Sequence, residues 1–447
     1  MLLRGNRAGD LDNTDNPEDH LAVPSRGRVT AAGVVGTVVE SYDFALFGLG
    51  AALLFGDLFF PAVSPGAGML ASLATFAVGF FVRPLGAFVL GNLGDRVGRA
   101  PMMVLTLVLM GLATICIGLL PTYESAGMLA PAMLVFLRLV QGFGAGAEYV
   151  GAILVVTESG GPRSRGLRAS LPGTGFFAGV LLATLAFTAV SAMPAEQFAA
   201  WGWRVPFLAS VVTVLVGLYF RLSVGETEAY RKFRAQDRPP RFPLVEVLRR
   251  RPRSVLIATL ANGPMVALYY LVQVFVLSYL TQVLKLPSSV GLTANVVATL
   301  VAIVTVPLFG ALSDRVGRRP VWFGGSALLA VFAFPLFGLV QTREPALVVG
   351  ALAVVAAGIG AMVAAQSALF AELFETRYRF SGFALAREAS AALIAGPAPF
   401  VAAALLQNSG GATWPIAVLV TGLGAVGFCA VLFAPETRQV SLTGPVP

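Results

Sequence analysis

A charged, glycine-rich phrase occurs twice in this chain, half its length apart: GNLGDRVGRAP at residues 91–101 and GALSDRVGRRP at 310–320. Each copy ends one long apolar run and begins another. A duplication at half-length restricts the fold to two related halves that turn sharply at the same level. Several flanking runs exceed the ~20 residues that cross a ~30 Å hydrocarbon core, so that level is a membrane surface. Only 12% of the 447 residues are charged and mean hydropathy is +0.80, against about 25% charged in a soluble domain.

Apolar runs between charge and Pro/Gly punctuation predict twelve spans, near 29–55, 66–93, 101–121, 128–157, 167–192 and 201–221, then 254–282, 290–312, 320–341, 346–374, 379–407 and 412–434. The expected fold is an all-α membrane protein, twelve transmembrane helices in two six-helix pseudo-symmetric bundles. A polar tail (1–28) leads to the first bundle (29–222). A basic linker (223–253), interrupted by Pro239-Pro240, joins it to the second (254–435), and a short tail (436–447) follows. The repeat is broader than its signature: Glu158 with Arg165-Gly166 is echoed by Glu372 with Arg379 and Gly382, and Glu226-Thr227 by Glu436-Thr437. Parallel repeats with a site between the halves near the bilayer midplane are a transporter architecture.

With the N-terminus placed in the cytoplasm, cytoplasmic segments hold 25 of the 31 Arg and Lys residues, and the outward loops hold only Arg204, Lys285 and Arg343. That asymmetry predicts a bacterial inner-membrane protein with both ends inside. The formal net charge of +8 is then a cytoplasmic face lying against anionic lipid, and no nucleic-acid partner is needed. No cleavable signal peptide is read in the polar first 28 residues. Cys116 and Cys429 lie inside apolar runs and read as packing residues, not a disulfide framework. No metal cluster and no nucleophile–histidine pair occurs, so an enzyme is not expected. Nothing in the pattern calls for a second copy, and a monomer is expected.

The chain resembles the major facilitator superfamily, whose most specific mark is the pair of DRxGR-type turns. Within it the chain is similar to the metabolite:proton symporters, on Glu40-Ser41-Tyr42-Asp43-Phe44 in span 1, Arg83-Pro84-Leu85-Gly86 in span 2 and Arg138-Leu139-Val140-Gln141-Gly142 through Glu148 in span 4. Residues 243–253 and 371–382 match as well. Members of that family move small organic acids, or zwitterions such as betaines and proline. Three features depart from its pattern: Ser41 stands where Trp is usual, Ala100 where the first turn usually ends in a basic residue, and Arg387-Glu388 where neutral polar residues are expected.

In the two turns, Asp95, Arg96 and Arg99, and Asp314, Arg315 and Arg318, are candidates for a gating latch, a role the resemblance supports; the alternative is a basic turn that only fixes topology. Gly91, Gly94, Gly98, Gly310 and Gly317 suit close approach or positive φ there.

An ionisable residue at bilayer depth costs on the order of 2.5–3.5 kcal/mol on insertion scales and is functional by default. Glu40, Asp43, Arg83, Arg138, Glu148, Arg387 and Glu388 all fall inside spans. Glu40 and Asp43, three apart, share a helix face, as do Arg138, Gln141 and Glu148. Asp43, Glu40, Arg138 and Glu148 are the candidate proton-coupling set. Asp43 would pair with Arg138 when ionised and release it when protonated, because a low dielectric favours the neutral carboxyl and a nearby guanidinium the charged one. Sugar porters resemble this helix 1 Asp and helix 4 Arg arrangement. The alternative is a permanent structural pair.

Arg83 and Arg387, one from each half, are candidates for holding an anionic substrate through paired hydrogen bonds. Their alternatives are pairing with Glu40 or Glu148, and with Glu388. Tyr42, Gln141, Tyr269, Tyr270, Gln273, Gln366 and Glu388 are candidates to complete the site, with Phe143, Tyr149 and Tyr279 as further aromatic neighbours. Asn262 and Gly263-Pro264 mark a candidate break in span 7.

The reading is a proton-coupled symporter of a small carboxylate-bearing metabolite, working by alternating access, with protons as coupling ion and no cofactor. Alternatives are symport of a zwitterionic osmolyte, proton antiport exporting an acid or drug, and a non-transporting membrane sensor.

Overall fold

The computed structural model describes residues 26–97, 99–145, 148–158, 164–223, 243–375 and 379–440. Within them the chain is helical, with no strand. The first six long helices are α1 (Arg26–Leu53), α2 (Pro65–Val97), α3 (Arg99–Gly118), α4 (Leu129–Gly144, resuming at Glu148–Glu158), α5 (Arg165–Ser191) and α6 (Ser210–Ser223). Next come α7 (Pro252–Tyr270, extended by π-helical turns Leu271–Val276 and Tyr279–Val283), α8 (Ser288–Val316) and α9 (Arg318–Gln341). The last are α10 (Pro345–Leu373), α11 (Arg379–Ser390, carried on through Ala391–Ala395 to Ala398–Asn408) and α12 (Trp414–Leu432). Among the described residues eleven stretches are long and apolar enough to cross a bilayer, and α3 offers a shorter apolar stretch, Val104–Gly118.

In the first half α1 packs on α5, and α2 and α3 on α4; in the second, α8 and α9 pack on α10, and α9 on α12. The halves meet where α5 lies along α8 and α10, where α2 meets α11, and where α1 touches the π-helical part of α7. The outer surface is apolar, with Phe136, Val331 and Leu393 exposed, as lipid contact requires. Cys116 and Cys429 are both exposed on it. They are therefore surface residues and not the packing residues expected from their apolar settings.

The second repeat turn explains its own glycine. Gly317 joins α8 to α9 at φ 109°, a backbone region that a side chain strains. Gly310, expected in the turn, lies inside α8 instead. The glycines of the first turn lie outside the described side chains.

A second glycine sets the spacing of α2 and α4: a Cβ on Gly142 would stand 2.1 Å from the Gly79 carbonyl oxygen. Such overpacking costs about 1–3 kcal/mol where neighbours can give, and here the obstacle is backbone. Gly142→Val is expected to lower the thermal midpoint by several degrees and the monodisperse yield with it, measured on purified protein. An unchanged midpoint would show that the two helices need not touch.

Candidate functional site

Midway along the helices a four-residue ion network joins the halves. Arg83 of α2, 3% exposed, donates from Nε to Glu388 Oε2 (2.7 Å) and from Nη2 to Glu388 Oε1 (3.3 Å) and the Ala145 carbonyl (3.1 Å). Its Nη2 also lies 3.5 Å from Glu40 Oε1 of α1. Arg387 of α11 donates from Nη1 to Glu388 Oε1 (2.6 Å), and its Nη2 stands 3.8 Å from Glu40 Oε1. Two guanidinium groups and two carboxylates thus come together without net charge, which is the only affordable arrangement at such burial. Arg387 does reach its sequence neighbour: the two side chains are long enough to bend around the helix toward Arg83. Arg387 also lies 4.8 Å from the centre of the Tyr149 ring.

Asp43 and Arg138 are not paired, contrary to the expected ion pair. Arg138 is fully buried and donates to Gln141 Oε1 (2.5 Å) and to the Phe76 carbonyl (3.2 Å from Nη2). The rings of Phe44 and Phe47 lie 4.6 and 4.3 Å from its guanidinium carbon, and Phe76 and Phe80 close the box. Aromatic faces hold a desolvated cation by their quadrupoles. Both carboxyl oxygens of Asp43 are buried without a hydrogen-bond partner, as is Ser210 Oγ beside them. Gln141 stands between the two, donating to the Asp43 carbonyl (3.3 Å) and to Thr114 Oγ1 (2.9 Å). The side chain of Glu148 lies outside the described residues.

Beside this layer a narrow cavity, with room for about one water molecule in this closed form, lies between the halves, bounded by Ser41, Phe44, Phe76, Phe176, Tyr269, Tyr270 and Gln273 among others. Three polar residues proposed for the site from sequence, Tyr269, Tyr270 and Gln273, are therefore in place. Three others are not. The Tyr42 hydroxyl donates to the Pro206 carbonyl at 2.9 Å inside the first half, and Gln141 serves Arg138 and Thr114. Gln366 donates to Asn262 Oδ1, and Asn262 in turn to Ser390 Oγ (2.5 Å), so its amide is spent within the second half. Tyr279 stacks on Phe275, and Phe143 is half-buried on α4.

The break expected at Gly263-Pro264 falls later. Pro264 sits inside α7, and the irregular turn begins at Leu271, where Asn295 Nδ2 donates to the Gln273 carbonyl at 3.1 Å. A π turn frees carbonyls from the helix ladder, and a buried amide is what such a carbonyl needs.

Both ends of the cavity are shut. On the face bearing the 310–320 turn, called here the basic face, Asp314 accepts from the Gly166 and Leu167 amides (2.8 and 3.0 Å), so α8 caps the start of α5 across the halves. Arg318 pairs with Asp314 (2.8 Å) and with Glu372 (3.3 Å), and Arg165 pairs with Glu372 (2.9 Å). Glu436 accepts from the Arg318 and Arg319 amides, and Thr437 donates to Glu372 at 2.6 Å. Arg315 is exposed and stands outside this network; the side chains of Asp95, Arg96 and Arg99 lie outside the described residues. Arg165, Glu372, Glu436 and Thr437 were visible in sequence only as echoes of the repeat. On the far face Gln282 donates to the Ala52 carbonyl (3.0 Å) and Gln407 to the Gly66 carbonyl (2.7 Å).

The geometry has company among known proteins. The family model described as Major Facilitator Superfamily matches residues 34–396 and, again, 268–445. The shikimate transporter of Escherichia coli strain K12 is 36% identical, over 94% of this chain and 98% of its own. The glycine betaine/proline/ectoine/pipecolic acid transporter OusA of Dickeya dadantii strain 3937 is 34% identical, over 94% and 85%. Among solved structures, the proton:xylose symporter XylE bound to 6-bromo-6-deoxy-D-glucose superposes with a TM-score of 0.71 at 18% identity, over 94% of this chain and 98% of that one. A duplicated helical bundle closed on a central cavity, matched by the family model and by relatives nearly end to end, places the chain in the major facilitator superfamily, as a membrane-embedded secondary transporter and not an enzyme.

Proposed function

We propose that the protein carries a small carboxylate-bearing metabolite together with protons into a bacterial cell, by alternating access, with both chain ends cytoplasmic. The observation that supports this most is the convergence of Arg83 and Arg387, one from each half, on a single buried carboxylate next to a central cavity. Guanidinium groups are always charged and match a carboxylate with parallel hydrogen bonds. Cargoes named for the relatives, shikimate for one and betaine, proline, ectoine and pipecolic acid for another, share a carboxyl group.

Asp43 carries the coupled proton in this reading. With its oxygens unpartnered and Arg138 engaged elsewhere, the arrangement is the one expected after protonation has released the arginine. An ionised carboxylate in that place would be a buried, unpaired charge costing several kcal/mol. Loss of the proton brings Arg138 back.

A second reading has its own support. Aromatic rings from Phe44, Phe76, Phe176, Tyr269 and Tyr270 bound the cavity, and aromatic cages recognise quaternary ammonium groups. A betaine-like zwitterion would use them.

Proteoliposome uptake of labelled shikimate, simple monocarboxylic acids and glycine betaine, with and without an inside-alkaline pH step, separates these readings. Accumulation of acids driven by the step is the expected result; accumulation of betaine alone selects the second reading. Uptake indifferent to the step, or export driven by it, would overturn proton symport.

A further inference from the structure

Glu388 is where this chain departs from the neutral polar residue expected beside the cavity. It holds the strongest bonds in the central network. Arg83 grips both of its oxygens, at 2.7 and 3.3 Å, and Arg387 adds a third bond at 2.6 Å. Glu40 is held far more weakly, at 3.5 and 3.8 Å, and its Oε2 has no partner. Two forked cations closed on one carboxylate make a site whose shape is that of a carboxylate. The occupant is tethered to α11 and belongs to the protein itself.

The slot lies behind one ring of the cavity wall. Phe44 bounds the cavity and at the same time lies under the Arg83 guanidinium, 4.9 Å from its ring centre. Cargo resting against Phe44 meets Arg83 once that ring turns aside.

We infer that Glu388 is a resident stand-in for the cargo's carboxylate, filling the two-arginine slot while the carrier is empty and leaving it, protonated, when cargo binds. This rests on the carboxylate reading above and adds to it a site of proton uptake distinct from Asp43. Charge balance requires the proton. Within the network Arg83 and Arg387 against Glu40 and Glu388 sum to zero, and the nearby buried cation Arg138 is held by its aromatic rings and Gln141 and pairs with neither carboxylate; a further carboxylate in the slot therefore leaves the network one negative charge over. Protonation of Glu388 restores neutrality. No covalent bond changes: hydrogen bonds from the two guanidinium groups pass from Glu388 to the cargo, and the proton comes from water on the loading side.

Among the described side chains, the titratable and charged groups around Glu388 and its partners are Glu40 from α1, Arg83 from α2, Arg138 and Tyr149 from α4, Tyr270 from α7 and Arg387 on its own helix. Of these only Glu40 is a second carboxyl, so a control must separate it from Glu388.

The test needs no knowledge of the natural cargo. In the purified full-length Glu388→Ala variant the slot is vacant, and sodium acetate is expected to raise the thermal midpoint saturably at mildly alkaline pH, while sodium chloride and acetamide do not. Wild-type protein is expected to respond to acetate only as the pH falls, with apparent affinity changing up to about tenfold per pH unit, as for one linked proton. Should Glu388→Ala not fold, Glu388→Gln keeps the shape, and its acetate response is expected to lose that pH dependence; Glu388→Asp is expected to keep it, and Glu40→Gln likewise. An acetate-blind Glu388→Ala variant, or a Glu388→Gln variant with wild-type pH dependence, overturns the inference. Acetate rescue with no acid transported in proteoliposomes would overturn the carboxylate cargo and leave the slot standing.

Discussion

Asp43→Asn is expected to cut accumulation against a gradient by the share that one coupled proton supplies, while leaving cargo exchange across the membrane intact. The substitution changes almost nothing in shape. Asp43 is fully buried, its two oxygens carry no hydrogen bond, and the Ser210 and Thr114 hydroxyls beside it accommodate an amide as readily as an acid. What is lost is the ability to give up a proton and recover Arg138. A pH step of one unit across the membrane is worth about 1.4 kcal/mol per proton, or about tenfold in concentration. If Asp43 carries that proton, the variant forfeits the whole of its tenfold, and counterflow of labelled cargo stays near the wild-type rate. A variant that concentrates cargo as far as wild type under the same step would remove Asp43 from coupling.

The second large effect lies at the basic face. Glu372 is a shared carboxylate: Arg165 at 2.9 Å, Arg318 at 3.3 Å and the Thr437 hydroxyl at 2.6 Å all depend on it. Arg165 comes from the first half and Arg318 from the second, so one acid holds the closure together. Glu372→Ala leaves two buried guanidinium groups without it, and stripping one partner from a buried pair costs about 3–5 kcal/mol. The protein can relieve that cost by parting the halves and letting water reach both arginines. A bias of that size shifts a two-state balance by a factor of about 100 or more. Ser170 is fully buried at this closure, so a cysteine placed there, in a background with Cys116 and Cys429 changed to Ser, reports the opening. Expected is fast maleimide labelling in Glu372→Ala and slow labelling in its absence. Equal rates would reduce the network to a topological turn.

How far the sequence could be read follows from what each inference needed. The apolar helices and the place of Arg83, Arg387, Glu40 and Glu388 well inside them depend on chain-local quantities, namely apolar length and rise per residue, and the fold keeps them. Partners depend on which helices pack together, and that is decided by long-range contacts such as Gly142 against Gly79. Arg138 and Asp43 stand on the predicted helices at the predicted depth. Gln141 nevertheless intervenes, and four phenylalanines take the cation instead. Phe44 with Phe47, and Phe76 with Phe80, at i,i+3 and i,i+4 spacing, were a signal that passed as ordinary membrane apolarity. Tyr42, Gln141 and Gln366 lie off the cavity wall in this form, and each is satisfied by a neighbouring polar group, as a polar side chain within a span must be. The basic-face network shows the converse. Glu372 and Arg165 were already conspicuous as matching marks of the duplication, but only the crossing of α5 with α10 joins them.

The two ends of the closed cavity are sealed with unlike materials. One seal is ionic, built from Asp314, Arg318, Glu372 and Arg165; the other is two neutral glutamine amides resting on the Ala52 and Gly66 carbonyls. A neutral hydrogen bond contributes about 0.5–1.5 kcal/mol net, well below the penalty for stripping a desolvated salt bridge. Parting the halves at the glutamine side therefore breaks the weaker set of polar contacts. Electrolyte is a poor handle on either gate, because salt screens a buried ion pair little and an amide contact hardly at all.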